Sequence, residues 1–303
     1  MGFKLIFIFI VTVLTFLIGK QAYNYFFAVH VVIAHVPAIS SVASPLTSSN
    51  AKKYLDDWNY SDGNISIKIS KIQKYTGKDM VTLFVADVKL SNADYLRTAF
   101  AKSEYGMHIE QRTSDMAKNN NALFAVNGDF YGFRNNGIIV RNGMLYRDNP
   151  SRGMLAFFKD GQMSIIDEKT ANVKYLLSSG LLDSFSFGPA LIKDGVIAKT
   201  SPFVYMDTSF IQNLEPRTGV GFISPNHFVF IVVDGRKENY SRGLTLTEFA
   251  KEFADMGCTE AYNLDGGGSS TMYFNGRIVN NPLGKDGSYE RRVSDIIYIR
   301  NPG

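Results

Sequence analysis

Three aspartates and a pair of arginines in this sequence sit beside glycine at the ends of apolar runs. Asp129 follows such a run in "LFAVNGDFYGFRNNG", with Asn127 before it and Arg134 after it. Asp234 closes "HFVFIVVDGR", and Asp265 stands in "AYNLDGGGSS" behind Asn263 and ahead of Gly266, Gly267, Gly268 and Ser269. Arg217 and Thr218 open the fourth cluster, "PRTGVGF". Carboxylates so placed can take a proton or attack a carbon, and an arginine can grip an anion with two parallel N–H donors. Any one of "NGD", "VDGR" or "LDGG" taken singly is an ordinary turn former. The triple glycine resists that reading, because ordering glycine costs more chain entropy than ordering any other residue.

No Gly-Lys-Ser/Thr follows the glycines and no GxGxxG enters a helix, so neither common nucleotide-binding loop is present. Backbone amides followed by serine hydroxyls suit an anion such as phosphate, or the oxygens of a sugar. The oxygens of Asp234, Asp265, Asn263 and the serines form an alternative set for a divalent cation, calcium or magnesium. Zinc has no such set, since His30, His35, His108 and His227 are scattered and Cys258 is the single cysteine. That single cysteine also excludes an intramolecular disulfide.

The elements that must hold these clusters are mostly strands. "NISIKISKI" alternates at period two, "MVTLFVADVKL" reads as a buried strand, and "YTGKD" turns between them. "VRNGML", "FKDGQM" and "IKDGVI" each place a glycine turn between apolar runs, which predicts three hairpins. Helical spacing with a polar cap predicts helices in "SNADYLRTAFAKSE", "RTSDMAKNNNA" and "TLTEFAKEFADMG", the last capped by Thr245 or Thr247 and stopped at Gly257. The fold class expected is α+β, a mixed and largely antiparallel sheet core with three or four helices.

The N-terminus has a different character. "LIFIFIVTVLTFLI", Leu5 to Ile18, is uncharged between Lys4 and Lys20, and predicts a transmembrane signal anchor over residues 1–24. A cleaved signal peptide is the alternative. Residues 25–60 pass from apolar to Ser-rich linker, leaving 61–303 as one catalytic-type domain. The single-pass anchor would hold that domain at the cell membrane on the extracytoplasmic side, or release it by secretion after cleavage. The net charge of +4 is spread without a basic block, so nucleic acid is not an expected partner.

Taken in order, "NGDFYG", "SFGPALI", "PRTGVG", "VVDGR", "NLDGGGSSTMYFNG" and "RRVSDIIYI" resemble the phosphodiester glycosidase family, over about Asp79 to Ile299. The resemblance implies a hydrolase that breaks the bond between a sugar and a phosphodiester. It implies a carbohydrate or sugar-phosphate substrate, with bacterial members linked to exopolysaccharide of the cell envelope. It implies Asp265, Asp234, Asp129 and Arg217 as catalytic residues. By the same resemblance Asn127, Thr218, Asn263, Gly266 to Gly268, Ser269 and Arg292 of "RRVSD" would bind substrate, and Arg134 is a further arginine that could grip the phosphate. One branch of the family carries glycine where Asp129 stands, which ranks Asp265 and Asp234 above it. A phosphate monoester leaves with a second pKa of about 6 and needs little protonation, so one carboxylate would carry most of the chemistry. The competing expectations are an anionic-glycan-binding protein without turnover and a component of a polysaccharide-export assembly.

Overall fold

The computed structural model describes residues 53–198, 212–283 and 290–302. Among them, every strand pair is antiparallel, and the strands form a nine-stranded sheet, a five-stranded sheet, a three-stranded sheet and two ribbons. The α+β expectation holds for these residues. The predicted anchor over residues 1–24 lies outside them, and among the described residues no helix is long and apolar enough to cross a membrane.

The nine-stranded sheet shows how period-two alternation builds layers. In Val81–Leu90 and His227–Val233, neighbours in the ladder, Phe84, Ala86, Val88, Phe228, Phe230 and Val232 all point to one side. There they meet Phe124, Val126, Ile297 and Ile299 of the five-stranded sheet. Leu83, Val85, Val229, Ile231 and Val233 point the other way, onto Leu246, Phe249 and Phe253 of the helix Leu246–Asp255. The helix Thr113–Asn119 covers the far face of the five-stranded sheet through Met116 and Ala117. The order is therefore helix, sheet, sheet, helix, with the main core between the two sheets. The glycines of "RTGVG" serve this packing. A Cβ at Gly219 would lie 2.9 Å from the Phe249 ring, and one at Gly221 would lie 2.5 Å from Cys258 Sγ.

The three predicted hairpins are present, with Asn142–Gly143 and Asp194–Gly195 both at positive φ. Thr245, rather than Thr247, caps the Leu246–Asp255 helix in a reciprocal capping box with Glu248. The helix expected in "SNADYLRTAFAKSE" does not form. Asn92 caps one 3-10 turn at Ala93–Tyr95, and Leu96–Phe100 then becomes the edge strand of the five-stranded sheet beside Asp295–Arg300. Ladder bonds and burial of Leu96 outweigh the local helical spacing. A further helix, Val173–Ser178, had no forecast. Strands also begin at Tyr54–Leu55 and Asn59–Ser61, inside the stretch assigned to the linker.

Candidate functional site

The glycine run is the crossover between the two sheets. Glu260–Asn263 ends beside Arg217–Ser224 in the nine-stranded sheet, and Met272–Phe274 starts beside Ala122–Asn127 in the five-stranded one. Leu264 to Thr271 must bridge them in one short step. Asn127, fully buried at the end of its strand, ties the step down. Its amide donates to the Asp265 carbonyl at 2.6 Å, and its oxygen accepts from Thr218 Oγ1 at 2.8 Å and the Thr271 amide at 3.2 Å.

The glycines are needed for room and backbone geometry. A Cβ at Gly266 would lie 2.9 Å from the Pro216 carbonyl oxygen, and Gly267 sits at φ +62 with Arg236 Nη2 3.0 Å from where its Cβ would be. Two of the three glycine amides, expected to face an anion, are bonded within the protein. Gly266 N donates to Asp265 Oδ1 at 2.9 Å, and Gly267 N to the Pro216 carbonyl at 2.9 Å. Replacing Gly266 by alanine should push the loop off Pro216, at a cost of about 1–3 kcal/mol in a denaturant titration. Unchanged stability would show that this approach has slack.

What the crossover builds is a cavity of ~320 Å³ with Asp265 in its wall. Phe130 and Phe187 form an apolar side, and Glu215, Arg217, Arg236 and Arg291 form the charged one. Asp265 accepts from Ser269 Oγ at 2.6 Å through Oδ2, and from Arg291 Nη2 at 3.1 Å and 3.3 Å through its two oxygens. Arg291 Nε also donates to Ser269 Oγ at 2.8 Å, closing a triangle around the carboxylate. Burial raises the pKa of Asp265 above the ordinary aspartate value, and the Arg291 charge and these hydrogen bonds oppose it. Arg236 pairs with Glu215 at 2.6 Å. The Arg217 guanidinium donates to the carbonyls of Leu244 at 3.0 Å and Asn213 at 2.7 Å, and burial lowers it to about 10, so it stays charged at neutral pH. Three arginines against two carboxylates make the cavity attractive to an anion.

Asn263 adds an acceptor. Its amide donates to the Gly188 carbonyl at 2.8 Å, while its buried Oδ1 has no partner and the residue lines the cavity. An orphaned buried oxygen beside a cavity is suited to a hydroxyl or amide of a ligand.

The remaining expected residues stand elsewhere. Asp129 is fully buried, accepting from Phe130 N, Arg134 and, at 2.7 Å, Ser186 N, and it is not in the cavity wall. So placed, Asp129 braces the backbone beneath Phe130, and Arg134 is its ion-pair partner, outside the cavity wall. The Arg134 guanidinium stacks on Phe187 at 5.5 Å and so steadies the apolar wall. Asp234 accepts from Tyr240 at 2.7 Å, Asn280 at 2.9 Å and Asn281 N at 3.1 Å, and it too lies outside the cavity wall. Because Asn280 also holds the Ser270 carbonyl and Met272 N, Asp234 braces the crossover from behind. Thr218 is buried against Asn127, and Gly268 lies behind the wall with its carbonyl accepting from Arg291 N.

Arg292, expected among the substrate-binding residues, does not reach the cavity. It lies exposed in a ribbon, opposite Arg112, whereas Arg291 reaches Asp265. Glu215, Arg236, Phe130 and Phe187 also line the cavity, outside the expected set. Glu215 and Arg236 flank "PR" and "DG" in motifs already singled out, which was the available signal. The divalent-cation set is divided by the fold. Asp265 is wrapped by N–H and O–H donors, Asp234 is bonded elsewhere, and among the described residues no three His, Cys, Asp or Glu are grouped to hold a metal ion.

A family model described as phosphodiester glycosidase matches residues 120–300. The SPbeta prophage-derived uncharacterized protein YomE of Bacillus subtilis is 32% identical over 209 residues, 66% of this chain and 31% of that protein. The N-acetylglucosamine-1-phosphodiester alpha-N-acetylglucosaminidase of Bos taurus is 34% identical over 97 residues, 31% of this chain and 18% of that protein. The chain thus spans about a third of the first relative and under a fifth of the second. Among solved structures, the catalytic domain of the zebrafish enzyme of that name, auto-inhibited by its pro-peptide, aligns with a TM-score of 0.62 at 20% identity. The alignment covers 79% of this chain and 84% of that one. A hypothetical protein from Synechocystis aligns at 0.58 with 14% identity, covering 78% of this chain and 62% of that one.

Proposed function

This chain belongs to the phosphodiester glycosidase family, and from that premise we propose that it hydrolyses the bond between a sugar C1 and the oxygen of a phosphodiester. The observation that carries the reading is the cavity itself, in which one buried carboxylate, Asp265, shares a wall with three arginines. The sugar rests against Phe130 and Phe187, with a hydroxyl or acetamido group meeting Asn263 Oδ1. Arg236 and Arg291 face the phosphate, and Arg217 adds charge from behind.

The balance of the reaction follows from the leaving group. A C1–O bond breaks with its electrons going to the phosphate oxygen, and the product is a phosphate monoester stabilised by the arginines. Its second pKa of about 6 means that little protonation is required. Asp265 either takes a proton from the water that bonds to C1, or bonds to C1 first and is released by water. Arg291 is 42% exposed in its side chain, so it is the partner able to turn from Asp265 towards a phosphate. That turn frees a lone pair on the carboxylate at the moment substrate arrives.

The acid limb of kcat/KM then reports the loss of the proton from Asp265, and burial places it above the ordinary aspartate pKa. Arg291 lowers that pKa, so Arg291→Gln should move the limb to higher pH as well as raise KM. A limb that stays in place would remove Arg291 from the carboxylate's surroundings in solution.

With Leu5–Ile18 as an anchor or a cleaved signal, the domain would work outside the cytoplasm, on phosphate-bearing polysaccharide of the cell envelope. The test of the reaction class is to incubate the full-length chain with a panel of sugar-1-phosphodiesters and the matching alkyl glycosides. Release of free sugar from phosphodiesters alone supports the proposal. Binding of glycans with no release from any of them would favour a non-catalytic binding protein.

A further inference from the structure

A second concavity, larger at ~710 Å³, runs along the Leu96–Phe100 edge of the five-stranded sheet and shares no lining residue with the Asp265 cavity. Alternation along the last strand sets its floor. Ile297 and Ile299 enter the core, while Tyr298 and Arg300 line the groove, with Arg97 directly across the ladder from Tyr298. Neither the Arg97 nor the Arg300 guanidinium makes a hydrogen bond or close ion pair with another described residue. Arg141 beside them, by contrast, is neutralised by Asp295. A second hollow of ~300 Å³ adjoins and is lined by the same two arginines, so they form a saddle between two depressions.

Two cations without a hydrogen-bonded or close ion-pair partner, with Asp183 and Asp94 the acids in their surroundings, mark an anion-binding surface. The rest of the lining says which anion. Tyr146 and Tyr298 present half-buried rings, and Tyr146 is fixed edge-on against Phe100 at 4.9 Å. The Asn121 and Asn142 side chains are exposed at the rim and offer both donors and acceptors. Aromatic faces with amides match pyranose rings and hydroxyls. A nucleic-acid strand would ask for a longer basic stripe and would meet Asp94 in the adjoining hollow.

We propose that this groove is an accessory site for an extended anionic oligosaccharide, with Arg97 and Arg300 on its phosphates and the tyrosines against its sugar rings. The choice of phosphate as the anion rests on the hydrolytic reading above. The site itself is read out by binding alone, so its failure is distinguishable from a failure of hydrolysis. The probe is a fluorescent mannan oligosaccharide carrying phosphodiesters, titrated into the full-length Asp265→Asn chain. The same oligosaccharide after removal of phosphate and a single-stranded oligonucleotide of equal charge are the comparators.

The phosphorylated oligosaccharide is expected to bind about tenfold more weakly when Arg97→Ala and Arg300→Ala are added, or when its phosphates are removed. The same two substitutions in the chain with Asp265 intact should leave turnover of a small sugar-1-phosphodiester within about twofold, as for a distant independent site. That turnover also confirms that the variant is folded. Unchanged affinity in the double variant, no binding of the phosphorylated oligosaccharide, or tighter binding of the oligonucleotide would each overturn the inference.

Discussion

Asp265→Asn should abolish detectable sugar release while the protein melts within a few degrees of the parent. Removing a positioned proton acceptor lowers turnover by about 10²–10⁴-fold, and the loss is larger if Asp265 bonds to C1 itself. The stability forecast rests on the partners. An asparagine oxygen can still accept from Gly266 N or Ser269 Oγ, which lie 2.9 Å and 2.6 Å from the carboxylate. Arg291, half in solvent, can be hydrated when its counter-charge is gone. Burial also penalises the charged form of Asp265, so neutralising it relieves part of that cost. A variant that kept normal turnover would move the chemistry to another group, with Glu215 the remaining carboxylate in the cavity wall. A variant that failed to fold would make Asp265 structural.

Asn127→Ala should have the opposite profile, with stability falling first. Its side chain is the knot between the two sheets, bonded to the Asp265 carbonyl, Thr218 and Thr271 N without any exposure. Truncation leaves three buried polar groups unpaired. Each such group costs about 1–3 kcal/mol, and partial relaxation sets a net loss of about 2–4 kcal/mol in a urea titration. Turnover should also fall at temperatures where the variant is folded, because the Asp265 backbone has lost its anchor. Stability within about 0.5 kcal/mol of the parent, the range of an ordinary surface change, would show that the crossover is held by other contacts.

How far the sequence carried these conclusions depends on the range of the interaction involved. Asp265 and the glycine run were legible because the residues needing each other are adjacent, and three glycines have no ordinary use in a turn. The hairpins were legible for the same reason, since Asn142–Gly143 and Asp194–Gly195 supply their own positive φ. Arg291 against Arg292 was not legible. Which of two neighbouring arginines faces Asp265 is decided by a ribbon with Gln111–Arg112, more than 170 positions away in the chain.

Asp234 and Asp129 were placed at the right ends of the right strands, yet they turn inward to Asn280 and Ser186, partners that no local pattern announces. The stretch Ser91–Glu104 shows the limit from the other side. Its apolar spacing is helical and Asn92 does cap a turn, but Asp295–Arg300 recruits Leu96–Phe100 into a ladder that local propensity cannot match. Glu215 and Arg236 carry no local sign of their role, because their pairing at 2.6 Å joins residues 21 positions apart at the ends of separate strands.

Which bond is cut decides the role of Asp265, and one isotope measurement addresses it. Hydrolysis of a sugar-1-phosphodiester by the full-length chain in water enriched in oxygen-18 leaves the label on whichever atom the water attacked. Label on C1 of the released sugar, with unlabelled phosphate monoester, is the result this account predicts. Label on the phosphate would mean that the P–O bond breaks. The arginines would then activate phosphorus rather than stabilise a leaving group, and the assignment of Asp265 to attack at C1 would be contradicted.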